Sequence, residues 1–188
     1  MKVVLLTHTQ DPLETIYRGY KECYSSAPAS EIPALLDDDM LNFIEKKTEL
    51  GHESPLEHVS FTFSIEGISR ACSHQLVRHR IASYSQQSQR YVRSDDFEYI
   101  VPKSISEKPF VCAEYDALME TIQRQYAVFV ELYKIPKEDA RYILPNAATT
   151  NIVVTMNVRS LLNLSLIHIS EPTRQEAISY AVFCLKKK

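Results

Sequence analysis

Glycine is scarce in this chain: only three of its 188 residues are Gly, and no Gly-x-Ser-x-Gly segment surrounds any serine. A hydrolase built on a strained nucleophile elbow is therefore poorly supported. Tryptophan is absent while tyrosine occurs eleven times, a bias that fits half-exposed rings beside a ligand and fits packing at an oligomer interface equally well. No uninterrupted apolar run approaches the roughly 20 residues of a membrane-spanning helix. The opening run Met1–His8 is too short for a signal peptide and lacks a small-residue cleavage site, so it reads as the first strand of a cytoplasmic protein. Cys23, Cys72, Cys112 and Cys184 form no Cys-x-x-Cys pair and no zinc-like spacing, which argues against a disulfide framework and against structural zinc. A formal net charge of -3 gives no bulk attraction to nucleic acid, so any phosphate must be met by local clusters of arginine.

The composition that remains, 45% hydrophobic and 24% charged, is that of a globular protein. The length suits one domain hiding roughly two thirds of the surface that its unfolded form exposes. Asp11-Pro12 opens a helix to about Cys23, with Ile16, Tyr17 and Tyr20 at helical spacing. Asp37-Asp38-Asp39 supplies the acidic first turn of a second helix ending near Leu50-Gly51. From Val59 to Glu66 apolar and polar residues alternate, which predicts a strand terminated by Gly67. Ser69 is placed to cap a helix reaching Arg78 or Arg80. The stretch from Arg80 to Val92 keeps neither period and is expected as a structured loop. A long helix is expected over Pro109–Leu132, a short one between Pro136 and Pro145, a strand over Thr149–Thr155, and a further helix after Asn157. The order β, α, α, β, α, loop, α, α, β, α is an α+β arrangement, with too few strands for a doubly wound sheet.

Three clusters carry chemistry. Arg78-His79-Arg80, with Ser83, Ser85, Ser88 and Arg90 close behind, gathers planar guanidinium forks and hydroxyl donors, the groups a nucleotide phosphate needs. Cations that merely favour the end of a helix dipole account for its first part equally well. His52-Glu53-Ser54-Pro55-Leu56-Glu57-His58 places two histidines and two glutamates together, but His-x5-His is not a metal-site spacing and a polar turn before the strand is the simpler reading. Arg141 and Arg159 each sit in an apolar stretch, where a cation must meet an anion or remain solvated.

The order Arg78-His79-Arg80-x-x-Ser83-x-x-x-x-Ser88-x-Arg90-Tyr91 resembles the signature of the flavin-dependent thymidylate synthases. The segment His52–His58 resembles that family's turn before a strand. Ala140–Pro145 resembles its substrate-side segment and Met156–Leu161 its flavin-side segment, so the resemblance spans about residues 1–164 in the right order. It implies an α+β fold with a mostly antiparallel central sheet flanked by helices. It also implies reductive methylation of deoxyuridine monophosphate (dUMP) to dTMP, with methylenetetrahydrofolate as one-carbon donor, reduced FAD as hydride source and NADPH as reductant of the flavin. No cysteine nucleophile and no metal are implied.

By the same resemblance, Gln75, Arg78, Gln87, Ser88, Arg90 and Arg141 fall at nucleotide-binding positions, with Arg78, Ser88 and Arg90 nearest the chemistry. Gln87 stands where many members have glutamate; an amide there still hydrogen-bonds but cannot act as a carboxylate base. Ser88 positions rather than attacks, since no adjacent base would activate it. His52, Arg78, His79, Arg80, Asn157 and Arg159 fall at FAD-binding positions. The family resemblance further implies a homotetramer with active sites shared between subunits, and neither nucleic acid nor membrane as partner. After Leu164 the family pattern stops, and residues 165–188 read as the translation of a sequencing adapter. The expectation is therefore a single catalytic domain over 1–164, truncated at its C-terminal helix, with Arg174 left out of the site. Two other classes stay open: a module binding single-stranded nucleic acid through Arg78, Arg80, Arg90 and tyrosine stacking, and a non-catalytic oligomerising remnant.

Overall fold

The computed structural model describes residues 1–166. Its strands are β1 (Lys2–His8), β2 (Ser60–Ser69), β3 (Ser83–Gln86) and β4 (Thr149–Asn157). Its helices are α1 (Pro12–Glu22), α2 (Asp37–Glu49), α3 (Arg70–Leu76), α4 (Lys103–Ser106), α5 (Pro109–Ala127), α6 (Lys137–Ala140) and α7 (Val158–Leu166). The strands form one antiparallel sheet in the order β1-β2-β4-β3, which is the α+β architecture expected. The contacts divide the chain into two compact units. One holds Met1–Lys2, Ile65–Arg78 and Ser85–Ile152; the other holds Val3–Ser64, His79–Tyr84 and the described chain from Val153 onward.

In the second unit the helical spacing of Ile16, Tyr17 and Tyr20 buries one face of α1, and α2 packs on it through Met40 and Ile44. Tyr17 meets Phe43 edge-on, with ring centroids 5.4 Å apart, the arrangement aromatic quadrupoles favour. Alternation along β2 sends Phe61 and Phe63 fully inward, while Thr62 bonds Thr155 of β4 at 2.9 Å. From α7, Val158, Ser160, Leu161 and Leu164 are buried.

In the first unit Phe97, Met119 and Ala148 form a core that Tyr99, Tyr115, Ile122 and Leu144 extend. Polar atoms at its edge are paired: Tyr99 donates to Asp116 at 2.9 Å, Tyr115 to the Ile100 carbonyl at 3.1 Å, and the Gln123 amide to the Phe97 carbonyl at 2.8 Å. The hydrogen bond to Asp116, with burial as a lesser cause, pushes the Tyr99 hydroxyl up to about 12.

Four local expectations change. Gly67 does not end β2; it sits within it at φ +70° and donates its N–H to Asn151 Oδ1 at 3.0 Å. A left-handed residue inside a strand shifts the in-out phase, and the residues that follow, Ile68 and Ser69, are both buried. Ser69 does cap α3, accepting the Cys72 N–H at 3.0 Å, but the helix stops at Leu76, so Arg78, His79 and Arg80 lie beyond it. Within the expected loop, Ser83–Gln86 pairs as an edge strand. The long helix reaches Leu132 only by widening into a π turn over Val128–Leu132, with Tyr133 N–H bonded to the Val128 carbonyl.

Candidate active site

The six positions assigned to the nucleotide all lie in the first unit. Gln75 ends on the exposed side of α3, and the exposed Arg78 follows, its N–H bonded to the Gln75 carbonyl at 3.2 Å. Gln87 leaves β3 with its N–H on the Asn151 carbonyl at 2.9 Å, while its own carbonyl accepts Arg70 Nη2 at 2.7 Å. Ser88 then makes a turn: its Oγ accepts the Arg90 N–H at 3.2 Å and its carbonyl accepts the Val92 N–H at 3.0 Å. That hydroxyl is bonded to a main-chain donor and not to a base, so nothing there raises its nucleophilicity. Arg90 is exposed and lies 5.5 Å from the Tyr91 ring centroid. Arg141 is half-buried, its Nε donating to the Glu138 carbonyl at 3.0 Å.

Arg70, which no motif singled out, lies beside Gln87 of this group. Burial first, and the nearby Arg141 cation second, press its pKa below the ordinary arginine value. Its Nε is buried with no hydrogen-bond partner among the described residues. Together with Gln87 and Ser88 it lines a cleft of about 550 Å³ whose wall includes Lys2 and Asn151. Gln75, Arg78, Arg90 and Arg141 do not line that cleft. A signal for Arg70 existed in the sequence: it opens a helix just after the cap, where the dipole disfavours a cation. Gln86, beside Gln87, faces the opposite way and donates to the buried Ser73 at 2.8 Å, so alternation along β3 leaves Gln87 as the exposed member of the pair.

Five of the positions assigned to FAD lie in the second unit, and Arg78 lies in the first. His79 is half-buried; its Nε2 is buried without a partner among the described residues. Its carbonyl accepts the Tyr84 hydroxyl at 2.9 Å, which burial pushes up to about 12. Arg80 is exposed. His52 has its Nδ1 against the Tyr24 hydroxyl at 3.0 Å. Asn157 caps α7, its Oδ1 accepting the Ser160 N–H at 2.8 Å. Arg159 is gripped by two carboxylates, Nε on Glu53 at 3.1 Å and Nη1 on Glu57 at 2.5 Å. The hydrogen bond to Glu57 is the main reason its pKa is raised. The two glutamates beside His52 and His58 thus serve an arginine, and no group of three or more His, Cys, Asp or Glu among the described residues could hold a metal. Cys72 is fully buried.

The donor set suits two polyanionic ligands. Arg78, Arg80 and Arg90 are exposed and make no ion pair with a carboxylate among the described residues. Arg70 and His79 each keep an orphaned, buried donor or acceptor nitrogen. Within each unit such groups are donors of the kind that phosphate-bearing ligands use.

The chain belongs to the thymidylate synthase complementing protein family, whose model matches residues 4–187. That match includes residues after Leu164, where the motifs quoted above stop; of the adapter-like tail expected over 165–188, all but residues 165–166 lie outside the described residues. A flavin-dependent thymidylate synthase of Geobacter sulfurreducens is 46% identical over 189 residues, covering 99% of this chain and 81% of the relative. The enzyme of the same name from Clostridium tetani is 44% identical, over 87% of this chain and 72% of the relative. A crystal structure of thymidylate synthase X from Helicobacter pylori with FAD and dUMP superposes with a TM-score of 0.72 at 25% identity, covering 98% of this chain and 92% of the other.

Proposed function

We propose that this chain, as a flavin-dependent thymidylate synthase, converts dUMP to dTMP with FAD, takes its one-carbon unit from methylenetetrahydrofolate and draws its electrons from NADPH. The observation that carries the reading is the run of arginines without carboxylate partners among the described residues, Arg78, Arg80 and Arg90, in a chain of net charge -3. Guanidinium groups left without carboxylate partners are available for charge-assisted bonds to phosphate. Bound FAD would supply hydride chemistry that no side chain here can perform.

The chain's own residues bind and orient. Arg70, its pKa lowered first by burial and second by the nearby Arg141 cation, is suited to meet a phosphate dianion. Ser88 and Gln87 hold the nucleotide by hydrogen bonds, with Gln75 and Arg90 on the same unit. Arg78 meets the charge of both ligands. On the flavin side His52, His79, Arg80, Asn157 and Arg159 offer donors. Among the described residues the Asn157 side chain uses only its oxygen, in the cap, which leaves its NH2 as a donor. Arg159 is held by Glu53 and Glu57. Exposed Phe110, Val111 and Leu118 along α5 give an apolar surface that suits subunit contact, in keeping with a homotetramer whose subunits share active sites. No helix among the described residues is long and apolar enough to cross a membrane, and we assign the enzyme to the cytoplasm.

The test is flavin uptake. Purified protein mixed with FAD and passed through a desalting column is expected to retain the flavin absorbance bands, and dUMP is expected to perturb them. A colourless protein that binds single-stranded nucleic acid tightly instead would overturn the reading.

A further inference from the structure

We infer that Tyr24 is a positioning residue that fixes the His52 imidazole in the tautomer and orientation with which it meets the flavin; this rests on the assignment of His52 to FAD above. Tyr24 stands just past the end of α1 and is 61% exposed, so burial does not hold its ring in place. Three contacts do. Its hydroxyl lies 3.0 Å from His52 Nδ1. Its ring meets the imidazole edge-on, with centroids 5.8 Å apart and planes at 78°. Lys47 Nζ sits 4.2 Å above its centroid, a cation–π contact.

His52 is fixed from the other side as well. Tyr20, fully buried, meets the same imidazole edge-on at 5.2 Å and 86°. Its hydroxyl lies 2.6 Å from the His52 carbonyl, which accepts it, and the His52 N–H donates to the Lys47 carbonyl at 3.2 Å. Main chain and ring are both held, and Nδ1 is the ring nitrogen consumed. Nε2 has no protein partner among the described residues and is the atom left for a ligand.

The direction of the Tyr24 bond decides what Nε2 offers. A cation over the phenol ring draws electron density from the oxygen, which makes the hydroxyl the donor and Nδ1 the acceptor. A neutral imidazole that accepts at Nδ1 carries its hydrogen on Nε2. His52 then presents an N–H to the flavin, suited to a carbonyl or phosphate oxygen. An exposed tyrosine, a lysine and a histidine on three different segments thus form one chain of orientation.

Two measurements on the full chain test this. In the ligand-free protein, long-range proton–nitrogen-15 correlation of the histidine rings is expected to show His52 as the Nε2–H tautomer, its signals assigned by their loss in His52→Gln. Tyr24→Phe keeps the ring and the Lys47 contact and is expected to give mixed tautomers. Titration with FAD, followed by flavin fluorescence, is expected to give a dissociation constant about threefold to tenfold higher for Tyr24→Phe, the value of one hydrogen bond. Adding Tyr24→Phe to His52→Ala is expected to cost nothing further. An unchanged ring spectrum in Tyr24→Phe, or FAD losses that add in the double variant, overturns the positioning role. If His52→Ala binds FAD as the unsubstituted protein does while Tyr24→Phe alters the spectrum, the assignment of His52 to flavin fails, and the flavin half of this inference with it.

Discussion

Arginine is the residue around which the chemistry is arranged, and its members differ in what they already hold. Arg159 is spoken for by Glu53 and Glu57, Arg93 by Asp95 and Glu131, whereas Arg78, Arg80 and Arg90 stand exposed without such partners among the described residues. Arg78→Ala removes a cation assigned to both ligands. Its kcat/KM is expected to fall roughly a hundredfold to a thousandfold, the scale of losing one preorganised charge donor, and unchanged turnover with FAD and dUMP both saturating would refute its role. Arg70→Ala is expected to raise the KM for dUMP by about tenfold with a smaller change in kcat, because a phosphate contact is made in the ground state and the transition state alike. Initial-rate measurements over a range of dUMP separate the two parameters. At this scale the sequence was partly legible. Arg78-His79-Arg80 stands out as a local cluster of cations and Arg141 as a cation in an apolar stretch, but the roles of Glu53, Glu57 and Tyr24 come from contacts across 28 residues or more. Pairing at that separation leaves no local pattern; the acids beside His52 and His58 read as part of a polar turn, and the fold shows them holding Arg159.

Among elements, the strands and helices with a strong period were legible, and those shaped by a partner were not. The alternation from Val59 to Ile65 and the spacing of Ile16, Tyr17 and Tyr20 set β2 and α1 directly. β3 escaped because four polar residues, Ser-Tyr-Ser-Gln, become a strand only through pairing with β4. Gly67 escaped for a related reason: glycine ends many strands, yet here the left-handed conformation is accommodated within β2 and stabilised by Asn151. Gly67→Ala tests that directly. A Cβ there would come no closer than 3.7 Å to Met1 Cα, an ordinary contact, so the penalty is conformational. Urea unfolding is expected to show a loss of about 1 to 2 kcal/mol. No loss at all would mean that residue 67 leaves the left-handed region without cost.

For the molecule as a whole, pH links two half-buried tyrosine hydroxyls to stability. Tyr99, raised to about 12 chiefly by its bond to Asp116, and Tyr84, raised to about 12 by burial, both favour the neutral phenol in the folded state. A group whose folded pKa exceeds its unfolded value contributes stability that is complete below the unfolded pKa near 10 and is lost as pH climbs through the folded value. The urea midpoint is therefore expected to hold up to about pH 10 and to decline towards pH 12. Tyr99→Phe, which has no phenol to ionise, is expected to flatten part of that decline. An equally steep fall in the variant would remove Tyr99 from the account.

The family, the α+β sheet and the arginine groups converge on one reaction, and its product is the most direct measurement. Purified protein incubated with dUMP, methylenetetrahydrofolate and NADPH is expected to form dTMP when FAD is supplied and none when FAD is withheld from the flavin-stripped protein. Folded protein that takes up FAD and binds dUMP yet forms no dTMP, or that forms it equally well without flavin, would contradict the account.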